Sequence, residues 1–366
     1  MTPNSHTARS SSHPGSRFSG LRLVLLASTL PLLLAGCDES ATGPGEDAGP
    51  PEITVDASSD WTYVDLDEEA SSISVANPGE SPAWDMAFFT TSVSLNGGDA
   101  GPAGVQGYCV CNNDGLSDAE VMDLEEQDGL DAFEAVTVAD APTSEDEWVD
   151  DALDPAIDGW YSYNSQTHVV SADPDAVWKV RTAEGTGFAK LHVTDITDPT
   201  QQHAGEVTLE FATQSESGGT MGGDQALTVD LSQGAAYVDL RDGAVSDESE
   251  WDLRLEGYTI QVNGGVSGDG EAGASRASEA YDDIADASDL SSRHYRGDAF
   301  GGVFASDEAG VQWYRYDLDG QHQIWPTYNV YLVRRDSELF KIQLVSYYSD
   351  TGDPRHITLR YELLEE

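Results

Sequence analysis

The chain carries an internal duplication, and this repeat limits what the chain can fold into more than any other feature. Four pairs of segments match across the sequence: 63–66 with 237–240, 84–98 with 251–265, 160–163 with 313–316, and Lys190 with Lys341. The chain has only three lysines, and two of them occupy matched positions. Self-similarity along a sequence indicates a repeated structural unit. We therefore predict two tandem copies, at 59–214 and 234–366, joined by a linker at 215–233.

Each copy has the alternating pattern of β-strands. Trp251 and Leu253 begin an alternation of apolar and polar residues that changes phase near Gly257, and the first copy changes phase at the aligned place. Alternation with a period of two is typical of a half-buried strand, and we interpret the phase change as a β-bulge or bend. The sequence predicts an all-β fold of mainly antiparallel sheet, with a few short helices near 115–135 and 275–290.

An acidic insertion at 99–150 lengthens the first copy and contains Cys109 and Cys111. Export to an oxidising compartment permits a disulfide, but two cysteines so close together form a tight ring. The pair is therefore either a small-loop disulfide or two free thiols, and we prefer the disulfide.

The N-terminal residues indicate export and lipid attachment. Three arginines precede the apolar stretch 23–34, and small residues lead to Cys37. This order is that of a secretory signal peptide, and the apolar stretch is shorter than the ~20 residues that cross a bilayer. A cysteine at the cleavage site resembles the bacterial lipobox, in which the thiol is diacylated. We predict a signal peptide at 1–36, lipidation of Cys37 and a flexible Pro/Gly-rich tether at 37–58.

The composition is strongly acidic. The chain has 67 acidic and 17 basic residues among 366, which gives a formal net charge of −50. Such a surface repels nucleic acids and anionic membranes, so the predicted membrane contact is the lipid anchor alone. The scarcity of lysine together with this acid excess is typical of adaptation to high salt, where screening relieves self-repulsion.

No motif of an enzyme is present in the sequence. It contains no GxSxG elbow, no phosphate-binding Walker loop and no HExxH zinc motif, which are the patterns that carry hydrolytic or nucleotide chemistry. We therefore expect a binding protein without catalysis.

Three histidines are candidates for a binding site. His168 and His322 each follow a duplicated Trp-Tyr-x-Tyr strand, and His294 stands between Arg293 and Arg296. Each histidine could be structural: His168 and His322 as rings bonded to a nearby backbone carbonyl, and His294 as part of a surface ion-pair cluster. Each could also bind a ligand, because imidazole is a common ligand of metals and haem iron and arginines pair with carboxylates. The tryptophans and tyrosines of the two strands are either core residues or a surface that stacks on a sugar or a porphyrin.

These blocks resemble the HmuY family of exported lipoproteins, whose best-known members capture haem for a TonB-dependent outer-membrane receptor. The second copy carries the closer likeness, at 251–255, 263–268, 313–316, 333–334, 340–344 and 357–361. The first copy keeps the Trp-Asp, Trp-Tyr-x-Tyr and Phe-Ala-Lys-Leu blocks. The resemblance implies two tandem HmuY-like β domains and haem held non-covalently between two axial ligands.

The resemblance also gives the candidate residues a role. If the resemblance holds, we expect the axial ligands to be among His168, His294 and His322, and Arg293 and Arg296 are candidates to pair with the haem propionates. The expected protein is an outer-membrane lipoprotein, periplasmic or surface-exposed, that takes part in iron or haem acquisition with a TonB-dependent receptor as partner. The alternative is a surface interaction or carbohydrate-binding lipoprotein on the same scaffold, without iron.

Overall fold

Antiparallel strands make up most of the fold, which confirms the predicted all-β class. The computed structural model describes residues 49–67, 69–306 and 310–365. The predicted signal peptide and Cys37 lie outside the described residues. Neither of the α-helices within the described ranges is long and apolar enough to cross a membrane.

The strands are numbered along the chain. Those before residue 215 are β1 Glu52–Asp56, β2 Thr62–Asp65, β3 Ser71–Ile73, β4 Met86–Phe89, β5 Ser92–Leu95, β6 Gln106–Cys109, β7 Ala152–Asp154, β8 Tyr161–Asn164, β9 Val169–Ala172, β10 Val177–Arg181, β11 Phe188–Thr197 and β12 Glu206–Gln214. Those that follow are β13 Gln225–Asp230, β14 Ala236–Asp239, β15 Ala244–Ser246, β16 Leu253–Glu256, β17 Thr259–Val262, β18 Gly273–Arg276, β19 Ala299–Gly301, β20 Tyr314–Tyr316, β21 Ile324–Pro326, β22 Val330–Arg335, β23 Glu338–Tyr348 and β24 Pro354–Leu363. The helices are α1 Asp118–Met122 and α2 Glu126–Ala135.

Two five-stranded sheets have the same construction. Their strand orders are β1-β24-β23-β22-β6 and β13-β12-β11-β10-β18. The registers also correspond, because Glu52 pairs with Arg360 in one sheet as Ala226 pairs with Glu210 in the other. A four-stranded sheet accompanies each, in the orders β3-β2-β4-β5 and β15-β14-β16-β17. The duplication in the sequence is therefore a duplication of structure.

Each five-stranded sheet takes strands from both halves of the chain. The first sheet combines β1 and β6 with β22, β23 and β24, and the second combines β10, β11 and β12 with β13 and β18. The two main apolar cores divide in the same way. We call 49–151 with 302–365 the outer lobe, and 155–298 the central lobe. The two copies have thus exchanged halves, and the folded lobes do not coincide with the predicted domains 59–214 and 234–366.

The exchange takes place at β7 and β19, which connect the lobes. These strands pair with each other in antiparallel fashion, with Leu153 opposite Phe300. The two residues occupy corresponding places in their copies, so the crossing strands pair at equivalent positions. The chain leaves the outer lobe through β7 and returns to it through β19. Because both crossings are extended, the second half of each copy is placed against the first half of the other.

The predicted tether and the predicted linker each contribute a strand to the core. Residues 52–56 of the predicted tether form β1, and residues 225–230 of the predicted linker form β13. Val55 and Val229 are buried at equivalent positions of the two sheets. The low-complexity composition around these segments conceals a short apolar-polar alternation, which pairing with β24 or β12 converts into a strand.

Two local predictions are also corrected. The phase change near Gly257 is a two-residue turn between β16 and β17, and Thr90 stands at the matching turn between β4 and β5; both residues have positive φ. The helix predicted near 275–290 is a single 3₁₀ turn at Tyr281–Asp283. The chain there covers a sheet face through side-chain contacts, and its neighbouring aspartates favour turns over helix.

Candidate functional site

Two equivalent hairpins carry the histidines that follow the duplicated Trp-Tyr-x-Tyr strand. In the central lobe β8 and β9 turn at His168, and in the outer lobe β20 and β21 are joined through His322. Both histidines have a left-handed backbone, with φ of 57° and 62°, which is uncommon outside glycine. Trp160 and Trp313 are buried in their lobes, so the core interpretation holds for these two rings.

A tyrosine orients each histidine ring. The Nδ1 atom of His168 lies 2.6 Å from the phenol oxygen of Tyr163, and that of His322 lies 3.0 Å from the phenol oxygen of Tyr316. A carboxylate oxygen of Asp317 is 3.5 Å from the same atom of His322. The phenol of Tyr316 donates to Nδ1 of His322 or accepts from it, according to which ring nitrogen carries the proton. A partner on Nδ1 fixes the direction of the ring, and the tautomer with the proton on Nδ1 leaves the lone pair of Nε2 for a metal.

An aromatic cleft surrounds His322. Its volume is about 710 Å³, within the roughly 300–1,000 Å³ of small-molecule sites. The residues that give the cleft its chemistry are Tyr314, Tyr316, His322, Tyr347, Tyr348 and Arg355. Four phenol rings, one imidazole and one guanidinium therefore converge on a single opening in the surface of the outer lobe.

The strands explain how these rings come together. Successive side chains of a strand point to opposite faces, so Tyr314 and Tyr316 share one face of β20. The register of β23 against β24 shifts between Leu344 and Tyr348, and such a bulge re-aims the side chains that follow it. The rings of Tyr347 and Tyr348 lie 5.2 Å apart and nearly perpendicular. The N–H of Ile324 donates to the phenol oxygen of Tyr348 at 3.0 Å, which joins the hairpin to this wall.

Arg355 supplies positive charge at the edge of the cleft. Among the described residues no carboxylate lies within 4 Å of its guanidinium, although the chain is strongly acidic. Burial raises the pKa of the Tyr347 phenol, and a hydrogen bond with Arg355 opposes this rise. The φ of Arg355 is 68°, whereas the central lobe has Gly205 at the matching position with a φ of 76°. An arginine is thus held in a conformation that favours glycine, which is typical of a functional position.

The corresponding space in the central lobe contains different side chains. Tyr258 stands where the outer lobe has Thr91, and its ring lies 5.0 Å from that of Tyr161. Its hydroxyl donates to the carbonyl of Thr200 at 2.6 Å. Tyr258 therefore spans the space between the hairpin and the loop that follows β11.

The opposite wall of this space differs as well. The sequence alignment places Ile196 and Thr197 at the positions of Tyr347 and Tyr348, and Gly205 at that of Arg355. The central lobe thus keeps the His–Tyr pair of the hairpin without the aromatic wall or the arginine.

His294 and its two arginines lie apart from the cleft. They belong to the central lobe, where His294 ends the 3₁₀ turn Ser292–His294 and its Nδ1 lies 2.9 Å from the hydroxyl of Ser291. Arg296 is bonded to the carboxylate of Asp154 and donates to the carbonyl of Pro155. Its guanidinium is therefore already engaged, which argues against the predicted pairing with propionates.

Arg293 is exposed on the same turn and does not line the cleft around His322. The structure consequently does not bring His168, His294 and His322 to one site. Among the residues that the structure describes, no group of three or more His, Cys, Asp or Glu side chains forms a metal site. The cleft offers a single imidazole.

Cys109 and Cys111 form a disulfide at the end of β6. Of the two readings of the sequence, the structure has the bridged one. The bridge lies in the outer lobe, because β6 is the edge strand beside β22.

Comparison with known sequences places the chain in a family. Two segments, 57–211 and 229–361, match the HmuY protein family, and together they cover more than half of the chain. The chain belongs to the HmuY family. No curated protein matches it.

Two crystal structures are similar to parts of this HmuY chain. One, from Bacteroides fragilis, is described as a lipoprotein; it is 17% identical over 47% of this chain and 94% of its own, with a TM-score of 0.17. The other, from Bacteroides vulgatus, is described as HmuY-like and haem-binding; it is 15% identical over 45% of this chain and 94% of its own, with a TM-score of 0.16. At these scores neither structure adds to the reasoning about the site.

Sequence reasoning missed most of the cleft in this HmuY protein. Thr91, Tyr347, Tyr348 and Arg355 come from three separate segments, and none belongs to a motif. A difference between the copies was the available signal. Positions where one copy has Tyr-Tyr and Arg and the other has Ile-Thr and Gly mark a place where the duplicated scaffold has diverged.

Proposed function

We propose that this protein is an exported, lipid-anchored binder of haem or a related porphyrin, and that the ligand binds in the cleft around His322. The observation that carries the proposal is the cleft itself, in which an oriented imidazole, four tyrosines and an arginine line one opening of the outer lobe. Membership of the HmuY family supports the same ligand. The resident chemistry is binding, without catalysis.

The residues of the cleft fit the three chemical parts of haem. Nε2 of His322 would hold the iron. The rings of Tyr316, Tyr347 and Tyr348 offer faces and edges for the flat macrocycle. Arg355 pairs with a propionate, in place of the arginines predicted from the sequence, because a charge-assisted pair is strongest where no other carboxylate competes.

Lipid attachment at Cys37 and a role in haem acquisition complete the proposal. A lipid anchor keeps the protein at the outer membrane, and the acidic surface keeps it from adsorbing to anionic lipid. An open cleft suits a protein that passes its ligand on, and we propose a TonB-dependent receptor as the acceptor. His168, on the matching hairpin of the central lobe, is proposed to have no iron ligand role.

A haem titration tests the proposal. The chain from residue 49, which keeps every described strand, is titrated with haemin in high-salt buffer and followed by absorbance. We expect a saturable, red-shifted Soret band with one equivalent of haem. A flat response from protein that circular dichroism shows to be folded would overturn the proposal.

A carbohydrate ligand is the second candidate. Tyr316 is 55% exposed at the rim of the cleft, and exposed aromatic rings stack on sugars. Quenching of intrinsic fluorescence by neutral glycans, unaffected by His322→Ala and without a haem response, would favour this candidate.

A further inference from the structure

Arg315 lies between two cleft tyrosines but points the other way. Because side chains alternate along a strand, Tyr314 and Tyr316 line the cleft while Arg315 emerges on the opposite face of β20. There its Nη1 donates to Oδ1 of Asp118 at 2.6 Å and its Nη2 donates to the carbonyl of Leu116 at 2.7 Å. Only 13% of the Arg315 side chain is exposed, whereas 68% of that of Asp118 is, so the arginine is largely buried and its ion pair lies at the surface.

A second set of bonds holds the other end of the hairpin. The side-chain amide of Asn113 donates to the carbonyl of Thr327 at 2.8 Å, directly after β21. The N–H of Val330 donates to Oδ1 of Asn112 at 2.8 Å. Both asparagines follow the disulfide of Cys109 and Cys111, so this contact begins at a covalently closed turn.

All of these partners belong to the acidic insertion at 99–150. In the sequence the insertion is part of the first copy, whereas β20 and β21 are part of the second. The exchange of halves brings the two together in the outer lobe. In the central lobe the position of Arg315 is occupied by Ser162, which is exposed, and the second copy has the shorter segment 266–297 in place of the insertion.

We propose that the insertion is a brace that positions the hairpin of the cleft, with Arg315 as the positioning residue. This inference rests on the function proposed above. His322 is 75% exposed at the tip of the hairpin, so its direction depends on how firmly β20 and β21 are held. Fixing a binding group before the ligand arrives reduces the entropy lost on binding. The brace therefore raises haem affinity without touching haem.

Substitution of Arg315 tests the brace. Arg315→Ser introduces the residue of the unbraced hairpin, and Arg254→Ser, which removes a partly buried arginine bonded to Gln261 and Glu256 in the central lobe, is the matched control. We expect Arg315→Ser to weaken haem binding about 10-fold, the range seen when groups that orient metal ligands are removed. We also expect a changed Soret band, which reports the coordination of His322. Arg254→Ser should change neither.

A charge exchange separates positioning from general stability. The double variant Arg315→Asp with Asp118→Arg should recover most of the affinity and the native Soret band, whereas Arg315→Asp alone should not. Equal affinity and an unchanged spectrum for Arg315→Ser and the wild type would overturn the inference.

Hydrogen exchange of the ligand-free protein keeps the two proposals distinguishable. Amides of residues 314–326 should exchange faster in Arg315→Ser than in the wild type, while those of 161–172 stay the same. If the wild type binds no haem but this difference is seen, the brace stands and the proposed ligand fails. If haem binds and the exchange is unchanged, the brace fails alone.

Discussion

The outer and central lobes share a scaffold and differ in what their hairpins face. Both have the same order of five strands, the same buried tryptophan before the hairpin and a histidine with positive φ at its turn. In the outer lobe a cleft lies beside that histidine. In the central lobe Tyr258 crosses the corresponding space and bonds to Thr200.

The difference shows that the two copies kept the same scaffold while the side chains around one of the two histidines diverged. The strands that pair are equivalent in both lobes, so the scaffold sets where the histidine stands. A few side chains at the ends of β5, β23 and β24 then decide whether the histidine faces a cleft or a filled space. This comparison leads to five predictions.

Substitution of the two hairpin histidines should give the largest difference in haem affinity between the lobes. His322→Ala is expected to weaken haem binding about 100-fold, because it removes the oriented imidazole and with it the proposed bond to iron. His168→Ala should leave the affinity unchanged. Absorbance titrations of both variants measure this. Equal losses would mean that the two hairpins act together, contrary to the comparison.

The buried carboxylates Asp151 and Asp298 occupy matching places in the two lobes and allow a comparison of pH dependence. Burial raises the pKa of both, that of Asp151 to about 6. A folded pKa above the unfolded value means that the contribution to stability is present below about pH 4 and is lost as the pH rises through about 6. Asp151→Asn should therefore reduce the difference in unfolding free energy between pH 4 and pH 7 by on the order of 2 kcal/mol.

Denaturant unfolding at the two pH values checks this prediction. Both carboxylates accept hydrogen bonds that favour the ionised form, but Arg296 lowers the pKa of Asp298 whereas Asp150 raises that of Asp151. Asp298→Asn should therefore reduce the difference in unfolding free energy between pH 4 and pH 7 less than Asp151→Asn does. A larger reduction for Asp298→Asn would contradict this ranking of the two carboxylates.

Filling the cleft should make the outer lobe resemble the central one. Thr91→Tyr introduces the residue that stands at the matching position, Tyr258, and is expected to weaken haem binding by roughly 10- to 30-fold through loss of space. Tyr258→Thr is the reciprocal control and should not reduce affinity. Circular dichroism should show both variants folded. Unaltered binding by Thr91→Tyr would place the ligand elsewhere.

The arginine at the rim offers a smaller test. Arg355→Gly introduces the residue of the central lobe, and haem affinity should fall about 10-fold because a charge-assisted pair with a propionate is lost. The same change should raise the free energy of unfolding by up to about 1 kcal/mol, because glycine adopts positive φ without strain. Titration with a porphyrin dimethyl ester, which has no free carboxylates, should show no difference between variant and wild type.

Cutting the chain between the copies should have the smallest effect on binding. The exposed segment 215–223 joins β12 to β13, and a protease site placed there cuts the chain into its two copies. Each lobe contains strands from both fragments, so we expect the cut protein to elute as one species and to bind haem like the intact chain. Separation of the fragments in native buffer would contradict the exchange of halves.

Much of the fold follows from local patterns in the sequence. Alternation predicted the strands of the hairpin β22–β23, and the repeat predicted that Lys190 and Lys341 would be equivalent. Both lysines are buried in their sheets and lie over an aromatic ring. The strands β1 and β13 were missed because Pro- and Gly-rich surroundings conceal a short alternation.

The candidate site was predicted only in part, for a reason of distance along the chain. His322 and Tyr316 stand on one hairpin, so a motif reveals them. Arg355 and Tyr347 come from another hairpin, and Thr91 comes from the turn between β4 and β5 in the first copy. Arg296, by contrast, was a reasonable partner for a carboxylate until the fold paired it with Asp154.

The sequence by itself determined the duplication, the all-β class, the acidity of the surface and the histidine at each hairpin, because these depend on residues that are neighbours in the chain or on composition. The tertiary structure alone decided which halves pack together. Both copies present nearly the same faces, so pairing within a copy and pairing between copies satisfy the same alternation. The extended crossings at β7 and β19 settle this choice. They also place the insertion of the first copy behind the cleft of the second, where bonds between distant residues can orient His322.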